Sequence, residues 1–95
     1  MPAVEIIYSG LIRAAVQCQS ETYEVNANST LRDLLTEVAR RHGPEARRYL
    51  LDDASDLASG ASILMDGFAA RSLNARIGER ERVQVVVLSP MMIGG

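Results

Sequence analysis

Apolar and polar residues alternate at the start of the chain. Val4, Ile6 and Tyr8 fall on one side of an extended segment, and Glu5, Ile7 and Ser9 on the other. Period two over residues Ala3 to Ser9 predicts a half-buried strand that Gly10 interrupts. The next stretch, Leu11 to Val16, is short and fits either a turn of helix or a poorly patterned strand. From Glu21 to Asn26, Tyr23 and Val25 restore period two and predict a second strand paired back on the first. The period then changes: Leu31, Leu34, Leu35, Val38 and Ala39 recur at i, i+3, i+4, i+7 and i+8, one apolar stripe on a helix. Thr30 with Asp33 three residues on forms a variant capping box at its start. Arg40, Arg41 and His42 place cations in the last turn, where they suit the helix dipole. Gly43-Pro44 is read as a left-handed cap followed by a residue that cannot continue the helix.

Pro44 suits the first position of a second, short helix running through Leu51. Residues 52–60 are acidic and serine-bearing and are expected as a surface loop. Ser62 to Met65 reads as a strand, Asp66-Gly67 as a hairpin turn and Phe68 to Ala70 as a return strand. Leu73 to Glu81 is expected to link, and Arg82 to Leu88 is a strong strand. Strands at both ends with a long helix between them predict an α+β fold, a mixed sheet packed on one long helix. The first and last strands are the most apolar, so they are placed side by side and parallel at the sheet centre. That arrangement is a ubiquitin-like β-grasp. The expected division is a domain over 1–88 and a flexible C-terminal tail over 89–95.

Composition narrows the function classes. Ninety-five residues suit one domain, and a hydrophobic content of 47% with only 4% aromatics implies an aliphatic core. A net charge of −2 gives no electrostatic case for nucleic acid or for an anionic membrane. No apolar stretch has spanning length and no signal pattern opens the chain, so a cytoplasmic location is expected. Cys18 is the single cysteine, which excludes an internal disulfide; it is read as a structural or incidental thiol. No metal site is expected. His42 has no cysteine or aspartate cluster nearby in sequence and is read as a helix C-cap. Asp52, Asp53 and Asp56 lack the rest of a calcium-loop pattern. All ten basic residues are arginine, and lysine is absent.

The last residues, Leu88-Ser89-Pro90-Met91-Met92-Ile93-Gly94-Gly95, carry the most chemistry. A Gly-Gly end presents an α-carboxylate with no side chain beside it, suited to threading a narrow enzyme channel. Pro90 fixes φ at the root of the tail. From Ser89 onward the tail can extend about 20 Å, at roughly 3.3 Å per residue. Met91, Met92 and Ile93 suit a partner's apolar groove or, equally, the domain's own edge. In the last strand Val83, Val85 and Val87 are expected to face the helix. Val86 and Leu88, with Ile7 beside them, are then expected outward as an apolar partner patch.

These residues together resemble the ubiquitin-like sulfur carriers: the molybdopterin synthase small subunit, the thiamine sulfur carrier and the carrier of a thiocarboxylate route to cysteine. The matching elements are Val4-Glu5-Ile6-Ile7-Tyr8, Leu11-Ile12-Arg13, Ser29-Thr30-Leu31-Arg32-Asp33-Leu34-Leu35, Met65-Asp66-Gly67, Gly78-Glu79, Val83 to Val87, Pro90 and Gly94-Gly95. The tail departs from the family pattern at Ser89, where the family often has proline, and in the bulkier Met91-Met92-Ile93. The resemblance implies that a ubiquitin-activating-type enzyme uses ATP and Mg²⁺ to adenylate Gly95. A sulfur donor then displaces AMP to give a thiocarboxylate, which a synthase accepts. It also implies a protein co-substrate with no bound cofactor, not an enzyme. The alternative is a prokaryotic ubiquitin-like modifier joined through Gly95 to amines of target proteins. A plain binding module with an incidental Gly-Gly end is the third possibility.

Overall fold

The computed structural model describes residues 3–26, 28–54, 56–65, 67–70, 72–77 and 82–87. Eight elements follow in order: β1 (Ala3–Gly10), α1 (Leu11–Val16), β2 (Ser20–Glu24), α2 (Leu31–His42), α3 (Pro44–Leu50), β3 (Ala61–Met65), β4 (Phe68–Ala69) and β5 (Arg82–Val87). They form a five-stranded sheet in the order β2-β1-β5-β3-β4. β1 and β5 are parallel, and every other neighbouring pair is antiparallel. The parallel pair holds the middle of the sheet, as the apolar end strands require.

Alternation decides which face each strand buries. Val4, Ile6 and Tyr8 of β1 and Val83, Val85 and Val87 of β5 point inward and are almost inaccessible to water. Tyr23 of β2 and Ile63 of β3 complete the inner face. α2 supplies Leu31, Leu34, Leu35 and Val38 to the same hydrophobic cluster, the stripe its period predicts. α1 resolves the ambiguous stretch as a helix. Ile12 and Val16 lie on one of its sides and join the core, as do Ala46 and Leu50 of α3. The fold is therefore the ubiquitin-like β-grasp, with two short helices contributing to the core beside the long one.

α2 is capped on both backbone and side-chain atoms. The Thr30 hydroxyl accepts from the Asp33 N–H, and the Asp33 carboxylate accepts from the Thr30 N–H. Two further N–H groups of its first turn, on Leu31 and Arg32, donate to the carbonyls of Ala75 and Leu73. The segment expected only as a linker therefore serves as the partner of a helix end, anchored by buried Leu73 and Ile77. At the other end the expected left-handed cap is corrected. Gly43 has φ 96° and ψ −175°, an extended conformation with positive φ that turns the chain directly into Pro44. Glycine is needed there because that region is essentially closed to residues with a Cβ.

Candidate functional site

The residues expected to carry chemistry sit beyond β5, so the site begins where that strand ends. Val87 pairs with Gly10 on one side and with Ala61 on the other. Gly10 has φ 81°, and a Cβ built on it would lie 1.9 Å from the Val87 carbonyl oxygen. The backbone of β1 can close on the end of β5 only because this residue is glycine. β5 is thus held on both edges up to its last described residue. The expected site residues Leu88, Pro90, Met91, Met92, Ile93, Gly94 and Gly95, and the expected tail over 89–95, lie outside the described residues.

The expected patch of Ile7 and Val86 falls on the outer face of the sheet, with both side chains half-buried. Their register is offset. Ile7 stands opposite Gln84, and Val86 stands opposite Ser9 on β1 and Ser62 on β3. The two aliphatics are diagonal neighbours, with polar residues directly across from each. Leu64 is a further member that the sequence reading omits: it stands opposite Gln84 from the β3 side and is half-buried. The signal was available in the Ala61, Ile63 alternation, which buries those two and turns Ser62 and Leu64 outward. Phe68 on β4 is 78% exposed but pairs with Met65, on the other face of the sheet.

A second cluster was not anticipated. Glu21 on β2 lies at the inward side of its strand and accepts from the Tyr8 hydroxyl at 2.7 Å and the Tyr23 hydroxyl at 3.2 Å. His42 Nε2 lies 2.6 Å from the same oxygen, Glu21 Oε1. Arg41 approaches the other carboxylate oxygen at 3.7 Å, with its guanidinium carbon 4.4 Å from the centroid of the Tyr23 ring. His42 therefore has a carboxylate partner on β2, a more specific role than the expected helix cap. Burial pushes the Glu21 carboxyl up, but the hydrogen bonds from Tyr8, His42 and Tyr23 outweigh it and hold it below the usual carboxylate range. Burial first, and then the neighbouring Glu21, push Tyr23 up to about 12; Tyr8 is raised further for the same reasons. Two buried tyrosines at inward strand positions were the sequence signal, since a buried phenol needs a partner. The cluster ties β1, β2 and the end of α2 together. Its donors and acceptors are spent on one another, which suits a structural clamp.

Cys18 is partly exposed and free, and burial raises its thiol above the ordinary value, the opposite of an activated nucleophile. Among the described residues no helix is long and apolar enough to cross a membrane.

No protein-family model matches the sequence. No curated protein matches it either. Solved structures do match. The small archaeal modifier protein 1 of Haloferax volcanii superposes with a TM-score of 0.78 at 16% identity, over 94% of this chain and 100% of that one. A putative molybdopterin converting factor, subunit 1, from Pyrococcus furiosus gives 0.70 at 20% identity over 94% and 100%. Urm1 from Trypanosoma brucei gives 0.75 at 13% identity over 93% of each chain. The likeness extends over nearly the whole length of each, and it establishes for this chain the ubiquitin-like β-grasp fold.

Proposed function

We propose that this chain is a sulfur-carrier protein whose working group is the Gly95 carboxylate. The observation that supports the reading is a conjunction. A ubiquitin-like β-grasp domain places its last strand at the sheet centre, and residues 88–95 follow that strand to Gly94-Gly95. The fold supplies a stable handle, and the segment beyond supplies reach. The reading requires Gly95 to bear the free carboxylate in the mature chain.

A carboxylate is a poor electrophile, so activation must come first. A ubiquitin-activating-type partner, using ATP and Mg²⁺, transfers AMP to Gly95 and releases pyrophosphate. A sulfur donor then attacks the acyl carbon and AMP leaves, giving a terminal thiocarboxylate. A synthase of molybdopterin, cysteine or thiamine formation accepts that sulfur. In this scheme the chain is a co-substrate, and acid, base and metal belong to its partners. Pro90 orients the root of the arm, Met91, Met92 and Ile93 line the partner's channel, and Gly94 lets Gly95 enter it. Ile7 and Val86 on the outer face, together with Leu88, the next residue after β5 in the chain, meet the activating enzyme or the acceptor.

A second reading shares the first step. The likeness to a small archaeal modifier protein favours transfer of Gly95 from AMP to an amine of a target protein instead of to sulfur. Having no lysine, the chain could not then extend on its own side chains. Intact-mass spectrometry of the protein from its native cell separates the two. A carrier shows a fraction about 16 Da heavier, oxygen replaced by sulfur, that disappears when Gly95 is deleted. A modifier shows larger conjugates linked through Gly95. If neither species forms and deletion of Gly95 has no phenotype, the proposal fails.

A further inference from the structure

Val87 is held from three directions. Its side chain is 2% exposed and belongs to the core. Its backbone pairs with Ala61 on the β3 side and with Gly10 on the β1 side. The Gly10 contact is unlike the other rungs of the parallel pair. Gly10 is at once the last residue of β1 and the N-cap of α1, with φ 81° and ψ −146°. The three atoms nearest to a Cβ built there all belong to the Val87 backbone: the carbonyl oxygen at 1.9 Å, the carbonyl carbon at 2.9 Å and the nitrogen at 3.4 Å. Gly43 and Gly67 share a positive φ, but a Cβ on either would stand in open space. Glycine at those two positions serves a turn of the chain. At position 10 it also serves the approach of one strand to another.

The rung sits at a junction. One residue before it, Val86 stands on the outer face between Ser9 and Ser62. One residue after it begins the segment 88–95 that ends in Gly94-Gly95. The Gly10–Val87 rung therefore joins the face that meets a partner to the segment that carries the carboxylate.

We propose that Gly10 is a positioning residue for the Gly95 carboxylate: by admitting the Val87 carbonyl against its bare Cα, it fixes where and in which direction the chain leaves the sheet. The inference rests on activation of Gly95, the step that the carrier and modifier readings share. Reach is not what the rung secures. Losing it would lengthen the segment beyond the sheet from eight residues to about ten, which by loop-closure entropy alone changes the chance of reaching a given point by less than about twofold. Registration is the larger effect. An origin that slips by one residue moves by about 3.3 Å, and a misplacement of about 1 Å at the reacting atoms can cost about 100-fold in rate.

The test is Gly95-dependent ATP–pyrophosphate exchange, run on the full chain with the activating enzyme isolated from the native cell. Gly10→Ala is compared with Gly43→Ala, which carries the same backbone strain away from β5, at a temperature where circular dichroism shows both folded. Gly10→Ala is expected to lower kcat about tenfold or more with KM within about twofold, because the face still docks while the carboxylate is misplaced. Gly43→Ala is expected to match the wild type in both parameters. Amide exchange measured by NMR is expected to quicken over residues 85–87 relative to residues 4–6 in Gly10→Ala, and not in Gly43→Ala. Inserting one glycine after Leu88 leaves the described sheet untouched and is expected to lower kcat in the same way. If Gly10→Ala fails to fold, that insertion decides the matter, and an undiminished kcat overturns the proposal. Equal kinetics for the two alanine variants, or a raised KM with kcat unchanged, also overturns it while leaving the activation of Gly95 standing. Absence of Gly95-dependent exchange with the wild-type chain is the different failure: it removes the activation reading and this inference with it.

Discussion

Gly10 offers the sharpest test of how the end of β5 is held. Its Cβ would be placed 1.9 Å from the Val87 carbonyl oxygen, with the carbonyl carbon at 2.9 Å. Both are backbone atoms of a central strand and cannot rotate away. Two costs therefore act in Gly10→Ala. Residues with a Cβ are strained at φ 81°, ψ −146° by about 1–3 kcal/mol. Forcing β1 and β5 apart adds a steric cost of roughly 1–3 kcal/mol. Gly43 separates the two, because it shares the strained backbone region at φ 96°, ψ −175° yet has nothing within 4 Å of its Cβ position. The unfolded-state gain of a Gly→Ala change applies to both positions and cancels in the comparison.

Urea denaturation followed by far-ultraviolet circular dichroism is the assay, since the chain has no tryptophan. Gly10→Ala is expected to lose about 2–6 kcal/mol in all, about 1–3 kcal/mol more than Gly43→Ala. For a domain of this size the melting temperature of Gly10→Ala is expected to fall by at least about 8 °C. Equal losses at the two positions with unchanged m-values would refute the close approach of Gly10 to Val87.

The remaining predictions concern the core, the clamp and the outer face. Leu35→Ala, at a position with no solvent exposure, is expected to cost about 2–5 kcal/mol in the same denaturation assay. The Glu21 carboxyl is held lower in the folded chain than its ordinary 4.5, so its contribution is present above that pH and is lost as pH falls through the folded value. Stability measured from pH 6 to 3 is expected to converge with that of Glu21→Gln at the acid end. Tyr23 is raised from 10.0 to about 12, so its contribution is intact below pH 10 and is lost as pH rises through 12; a Tyr23→Phe variant is expected to lack that alkaline loss. Val86→Asp is expected to keep the wild-type melting temperature and to weaken binding to the activating or accepting partner in a titration.

The elements carried by strict periods were legible before any coordinates. The α2 stripe, its capping box and the alternation in β1 and β5 each follow from one residue's spacing to the next, and each landed where the pattern put it. α1 was not legible because six residues give less than two turns of period. Its helical state depends on Ile12 and Val16 finding a core that only the whole fold provides. The Glu21 cluster was hidden for a different reason. Tyr8 and His42 are 13 and 21 residues from Glu21 in sequence and reach it only once β2 has registered on β1 and α2 has crossed over them. Leu64 was missed although its alternation was visible, because a five-residue strand beside a turn gave no independent sign of which face would be covered.

The topology also shows how the end of β5 is anchored in the sheet. β5 is gripped on both sides, in register with β1 over residues 82 to 87 and with β3 over residues 83 to 87. A partner that draws on the chain beyond Val87 therefore pulls against the best-paired strand in the sheet, and the load is shared by two neighbours before it reaches either edge.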